Sequence, residues 1–535
     1  GPNAIIYETD RAVEVTQTRT RAFMAMAVDR DFAHRDARGV PFVTRVAVYP
    51  VANSADGKGA PLDDPKRGWS PFGPGLRAPP TLGIALAGPI LSLAGGNRRI
   101  CLTLRFDPQS GTQLAEALMQ YRQALARHYE GELTDARFVA FLADAFEVSL
   151  TTAGGFTNAH GLTVELSEDK PDTLVFQANL PSTAPPVAPH SGFHPYPALR
   201  LTLNAGARAL AFTPFRNTVL SDVTIEVSVT GLTDLKLITD AGPVAPKKPF
   251  VPFGPLAKPG SRLTVRADEL GGKRVQSLDL RFDWIGLPVP PADLAGYYAD
   301  YDADIGNLGF RATLSAGNGA SWVPLQVSGP GDTQPGLDAS LFASGGSVTE
   351  WQVPVTDRQA PDPEAAEHIG SVAPKSDLRI EFAKPNIGFG DELYPRLIAE
   401  AALRNARSTI TKAVAAVLPK PKGKTKKAGA PNPPLRPQLA AVALSYTARA
   451  SQRVGEANRP IELFNLRSLG DASQARDGRL FPETLNHDGY LMIGLDRVDP
   501  PEHLTLFFQI RDSQAASWTP EDGTPRPETR WTYLG

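Results

Sequence analysis

Val223, Ile225, Val227 and Val229 alternate with Thr224, Glu226, Ser228 and Thr230. A period of two puts each set on its own face of an extended strand, so the chain must bury one side of a sheet and wet the other. The pattern recurs at Ile100, Leu102, Leu104 and Phe106, and at Leu278, Leu280, Phe282 and Trp284. It returns at Val442, Leu444 and Tyr446, and at Leu504, Leu506 and Phe508. Between these runs lies heavy punctuation: 47 Gly and 50 Pro among 535 residues, enough to turn many short strands. With 42% hydrophobic residues the chain can build real cores. At roughly 100–200 residues per domain its length suggests about three or four domains. The expected fold class is mainly β, with β-sandwich-like domains and helical insertions: a multi-domain α+β chain.

Six regions follow from composition. Residues 3–241 read as an N-terminal β-rich domain, with strands at about 162–166, 173–180 and 198–205 and a long loop from Ala52 to Pro80. A helical insertion at about 112–146 interrupts it. There Leu114, Leu118, Tyr121 and Leu125 mark one face of an amphipathic helix ending at Gly131. Thr134 is placed to cap a second helix that turns Phe138, Phe141, Leu142 and Ala145 inward. Pro243, Pro246, Pro249, Pro252, Pro255 and Pro259 make 242–260 a stiff extended linker. A middle β domain spans 261–355, and 356–376 is a second linker. Residues 377–438 carry a strand, a helix over 391–418 and a lysine-rich loop. Leu393, Leu397, Ala401, Ile410, Val414 and Val417 form the helix's apolar face, and Pro419 stops it. Lys420, Lys422, Lys424, Lys426 and Lys427 read as a solvated tract, with contact to an acidic partner as the other reading. Residues 439–535 read as a truncated C-terminal β domain.

A net charge of −2 gives no footprint for nucleic acid or an anionic membrane. The weakly polar run Thr81–Gly96 is too short to span a bilayer and is broken by Pro89, so no membrane insertion is expected. The lone Cys101 can form no internal disulfide, lies in a strand-like run as an inert thiol, and points to a reducing compartment. The chain opens Gly1-Pro2 without methionine, as a tag scar or an internal fragment does.

Catalytic patterns each lack a residue they need. No Gly-x-Ser-x-Gly elbow and no His-Glu-x-x-His is present. Gly423-Lys424-Thr425 mimics the end of a phosphate loop, but Leu418 stands where the leading glycine belongs, and Gly388-x-Gly390 lacks a third glycine. His190 and His194, flanked by Pro189 and Pro195, read as exposed loop residues, not metal ligands. Asp300, Asp302, Asp304 and Gly306 suggest a calcium loop, yet Ile305 and Arg311 occupy its glycine and glutamate positions. Asp63 and Asp64, adjacent and beside Pro65, cannot be placed across a sugar ring. No catalytic, cofactor or metal residue is therefore assigned, and the chain is expected to bind, not catalyse. Trp284, Tyr297, Tyr298, Tyr301 and Trp322 cluster in sequence. They read as core packing or as a protein-binding surface, with a sugar platform as the lesser option.

Ordered motifs carry a resemblance. Lys248–Pro255 contains Phe253-Gly254-Pro255, followed by Pro259-Gly260-Ser261, Trp284-x-x-Leu287-Pro288 and Tyr297-Tyr298-x-x-Tyr301. Downstream come Leu393-Tyr394-Pro395-Arg396-Leu397, then Asn432–Pro437 with Leu444-Ser445-Tyr446-Thr447-Ala448. Gly489-Tyr490-Leu491-Met492-Ile493-Gly494-Leu495 follows, with Pro500-Pro501 and Leu504–Gln509. This series resembles the baseplate J-like wedge proteins of extracellular contractile injection systems, the phage-tail-like particles of antifeeding-prophage type. It covers 210–535 well and 3–210 loosely. The lysine-rich insertion departs from it, and the chain stops at Trp531–Leu534 where family members continue. The resemblance implies a structural component that joins other baseplate wedge proteins around a hub and spike, contacts sheath and fibre proteins, and transmits the contraction trigger. It also implies assembly in the bacterial cytoplasm within a particle released outside the cell. The alternative is a carbohydrate-binding or adhesive multi-domain β surface protein.

Overall fold

The computed structural model describes residues 16–35, 39–50, 80–128, 133–167, 170–207, 210–246, 248–288, 293–301, 305–317, 321–354, 377–415, 430–456, 460–468, 472–482, 485–498 and 505–506. Outside them lie the 52–79 loop, Gly131, the 356–376 linker, Asp302 and Asp304, Pro419, the lysine run and most of the alternation at 504–508. Among the described residues strands take 47% and helices 16%, so the protein is mainly β with helical insertions.

The chain forms two compact units, and the smaller draws on both ends of the described sequence. In it the 19–27 part of the strand Arg19–Arg35 pairs antiparallel with Gly489–Asp496, setting Met26 opposite Tyr490 and Ala22 opposite Gly494. Ala25 and Ala47 are buried there against Ala27 and Leu491. The expected C-terminal domain is therefore split, because 489–496 pairs with the N-terminal strand while 438–482 belongs to the larger unit.

The larger unit is organised by a seven-stranded antiparallel sheet. Its order is Val348–Pro354, Val275–Ile285, Gln438–Arg453, Leu220–Leu232, Asn97–Phe106, Lys170–Leu180 and His160–Ser167. The alternation predicted from sequence is its inner face. Val227 lies opposite both Ile100 and Ala448, and Leu280 lies opposite both Trp351 and Leu444. All are buried, while Glu226 and Arg281 point to solvent on the other side.

Two smaller sheets cover that inner face. One has the order Ala472–Gln474, Glu462–Leu466, Gly83–Ala87, Ala198–Leu203, Phe146–Thr152 and Gly155–Asn158. It meets the large sheet where Phe146 packs edge-on against Phe176 at 5.1 Å. The other runs Gly242–Val244, Lys236–Thr239, Arg262–Arg266, Asp377–Lys384, Arg311–Gly317 and Trp322–Leu325, with Asp338–Ser340 also paired to Arg311–Gly317. It meets the large sheet through Trp284 against Phe342 at 4.9 Å, and Phe342 in turn touches Phe310.

The helices Pro108–His128 and Asp135–Asp144 lie where sequence places them. Thr134 caps the second by accepting from the Arg137 amide. The first begins earlier than its apolar face suggests, because Asp107 accepts from the Gln109 and Ser110 amides and Pro108 is preset for the opening turn.

The expected boundary at 242–260 does not separate two sheets. Gly242–Val244 adds a strand, and the Phe250 and Leu439 backbones bond reciprocally at 3.1 and 2.8 Å. Phe253 is buried against Phe382 at 5.5 Å. The segment is not the stiff extended linker expected from its prolines: it turns at Pro252–Phe253, Pro255–Leu256 and Pro259–Gly260, and phenylalanines spaced among the prolines bind it to the core. Ile225→Ala on the inner face is expected to cost about 3 kcal/mol, and Glu226→Ala within about 0.5 kcal/mol, in urea unfolding.

Candidate functional site

The tyrosines of Tyr297-Tyr298-x-x-Tyr301 converge on the base of a long helix. Asp293 starts their short helix Leu294–Tyr297 by accepting from the Gly296 amide at 3.0 Å. Tyr298 donates its hydroxyl to the Phe389 carbonyl at 3.0 Å and accepts from the Leu435 amide at 3.3 Å. Tyr301 donates to the Asn432 carbonyl at 2.6 Å, and Tyr297 to the Pro433 carbonyl at 2.8 Å. The Asn432 side-chain amide returns a bond to the Tyr297 carbonyl at 2.8 Å. Three hydroxyls thus hold both the chain entering the helical excursion, at Phe389, and the chain leaving it, at Asn432–Leu435.

Packing fixes the clamp. Tyr298 and Tyr301 meet edge-on at 4.9 Å, and Phe310 stacks on Phe389 at 5.0 Å behind them. Gly390 has φ +92°, and a side chain there would strike the Tyr301 ring, so this turn requires glycine. Burial pushes the Tyr301 hydroxyl up to about 12 and raises Tyr298 as well, which keeps both as donors at neutral pH.

The helix Tyr394–Ala415 grows directly from this clamp, with Tyr394 and Leu393 amides on the Gly390 carbonyl. Through Arg407 only Leu397 and Ala401 are buried. Ile398 and Leu403 stand 40% and 62% exposed. The expected apolar face is confirmed at Leu397 and Ala401, while Leu393 is half-buried and the side chains from Ser408 onward lie outside the described set.

The remaining residues of the resemblance are distributed through the fold. Gly254 and Gly260 take φ +75° and +94°, and Ser261 leads into the Arg262–Arg266 strand beside Phe382. Leu287 and Pro288 are half-buried, and Pro255 and Pro395 are exposed. Trp284 is buried and donates to Thr349 at 3.2 Å, so it serves neither as a surface anchor nor as a sugar platform. Tyr298 and Tyr301 are likewise core. Trp322 is half-buried under the Arg379 guanidinium at 4.4 Å. Gly489, Tyr490, Gly494 and Leu495 lie on the strand that pairs with Arg19–Arg35, away from the clamp in sequence and in another unit.

Tyr446 belongs to a buried ionic cluster that sequence reasoning missed. Its hydroxyl donates to Glu269 at 2.7 Å and accepts from the Lys273 ammonium at 2.6 Å. Lys273 also donates to the Ser92 carbonyl at 2.6 Å, and Glu269 accepts from the Ala94 amide. Arg98 nearby is 1% exposed and donates to the carbonyls of Leu93, Pro181, Ala184 and Pro185. These groups bond to one another and to backbone, so they fasten loops to the sheet. The available signal was a polar hydroxyl at Tyr446, on the inner face of a strand between the apolar Leu444 and Ala448.

Neither histidine is an exposed loop residue. His190 is half-buried against Phe156, and His194 lies 3.5 Å from a Glu462 oxygen. The loop's aromatic side chains fold onto the sheet and take the imidazoles with them. Among the described residues no group of three or more His, Cys, Asp or Glu could hold a metal ion. Arg311, placed by sequence in the calcium-like stretch, bonds Asp338 and Asp332 at 2.7 and 2.9 Å. Cys101 is half-buried, and burial raises its thiol. No helix among the described residues is long and apolar enough to cross a membrane.

No protein-family model matches the sequence, and a search of curated proteins finds no match.

Tyr301→Phe is expected to cost about 1–3 kcal/mol by orphaning the Asn432 carbonyl, and to speed limited proteolysis between 391 and 432. Burial lowers the Lys273 ammonium from 10.5 to about 8. Between those values the unfolded chain holds more protons, so stability rises with pH, by at most about 3 kcal/mol. This contribution is complete above 10.5 and is lost as pH falls through about 8. Urea unfolding at pH 7.5–9.5 should show that slope, and Lys273→Met should flatten it.

Proposed function

We propose that this chain is a structural baseplate wedge component of a contractile injection particle. In this reading it binds other wedge proteins around the hub and spike, and passes the contraction trigger to the sheath. Assembly takes place in the cytoplasm of the producing bacterium, and the particle acts outside it. One observation carries the reading: the Tyr297-Tyr298-x-x-Tyr301 motif that suggests the family clamps both ends of an excursion whose helix presents Ile398 and Leu403 to solvent. A wedge needs such a part, rigid at its root and apolar at its surface, so that a partner's position is communicated to the sheets behind it.

The test is co-expression with adjacent operon products, expected to encode sheath, tube and spike proteins, followed by co-purification and imaging. A wedge or ring is the expected result. The double variant Ile398→Asp/Leu403→Asp should lose partner by about tenfold or more with an unchanged melting temperature. Retention of partner at the wild-type level by that variant, or absence of any wedge partner from the operon, overturns the proposal.

A further inference from the structure

Arg200 stands apart from the other inward-lying cations. It projects from the outer face of the Ala198–Leu203 strand, directly opposite Ala85 on one side and Ser149 on the other. Both neighbours are small, so the guanidinium sits in a trough. Beyond them, along the same row, lie Phe464 and Asn158. The loop before the strand brings Phe193 and His190 over this face. The Arg200 guanidinium lies 3.4 Å from the Phe156 ring centre and 5.2 Å from that of Phe193. Phe193 in turn lies 6.2 Å from Phe156 and 6.0 Å from Phe464. The side chain is half-buried within an aromatic enclosure.

What is missing is an acceptor. Among the described residues the Arg200 side chain makes no hydrogen bond and no ion pair, and its Nε is sealed from solvent without a partner. His190 Nδ1 is sealed and unpartnered as well. Arg98 and Arg379 also carry a sealed, unpartnered Nε, but Arg379 pairs with Glu381 at 3.9 Å, Arg266 grips both Asp377 oxygens, and Arg311 bonds two aspartates. Arg98 has backbone carbonyls. Burial depresses the Arg200 guanidinium's affinity for its proton, with no carboxylate offsetting it. The ring faces offset part of the cost of drying this cation, and a bonded anion would offset more of it.

We propose that Arg200 is the anchor of a binding site for a carboxylate carried on an apolar body. The planar fork matches a carboxylate in two bonds. Phe156, Phe193 and Phe464 provide apolar walls for the rest of the ligand. One guanidinium balances a single negative charge, so a phosphate dianion brings excess charge into an apolar enclosure. The carboxylate can come from a free organic acid or from the C-terminal residue of a partner chain.

The full chain is titrated with benzoate, with N-acetylphenylalanine and with inorganic phosphate at matched ionic strength, read by calorimetry and by NMR shifts. Saturable binding of at least one carboxylate is expected, weakened at least about tenfold in Arg200→Met. Benzoate binding alone indicates a free acid, and stronger N-acetylphenylalanine binding indicates a chain terminus. A second variant guards against a folding defect. Ser149→Glu places a carboxylate directly opposite Arg200, and should raise the melting temperature while abolishing carboxylate binding. No saturable carboxylate binding, phosphate binding as tight as the carboxylates, or undiminished binding in Ser149→Glu overturns the proposal.

Discussion

The larger unit depends on a single apolar surface, the inner face of its seven-stranded sheet. Both smaller sheets bury their own apolar faces on it, one through Phe146 and Phe176, the other through Trp284 and Phe342. Neither can be removed without wetting half of that face. The strands that build it come from across the chain: Leu220–Leu232 is paired on one side with Asn97–Phe106 and on the other with Gln438–Arg453. Regions that composition divides into domains are therefore joined by hydrogen-bond ladders. A substitution on one inner-face strand is felt by both sandwiches, because close-packed interiors transmit strain.

Polar groups refine what the apolar face cannot specify. Glu269, Lys273 and Tyr446 tie the Ser92–Ala94 turn to the sheet, and Arg98 gathers the carbonyls of the 181–185 turn. Apolar contacts are non-directional and would tolerate several positions for these loops. Hydrogen bonds to charged groups in a dry setting tolerate few.

Much of the local structure was legible because its causes are local. Period-two alternation marked the strands and told which side is buried, as at Val223–Thr230, and Thr134 announced its own cap. Strand order was not legible, since nothing in Val227 indicates that Ile100 and Ala448 will flank it. The 242–260 segment misled because prolines report missing backbone donors, while burial of Phe250 and Phe253 is decided by distant partners. The tyrosines were noticed as a cluster, but their role depends on a carbonyl 131 residues away in the case of Tyr301. Arg200 left no trace in sequence, for its significance lies in the partner it lacks.

The clamp also makes the stretch between Gly390 and Asn432 a natural place for variation. Its two ends are held by groups outside it, in Tyr297, Tyr298 and Tyr301, so the hold on the excursion's ends does not depend on its middle. Doubling the length of such a loop costs only about 0.6 kcal/mol in closure entropy. A different excursion set in this socket would change the exposed surface while the clamp stays the same. A foreign helix grafted between those two points inherits a rigid mount.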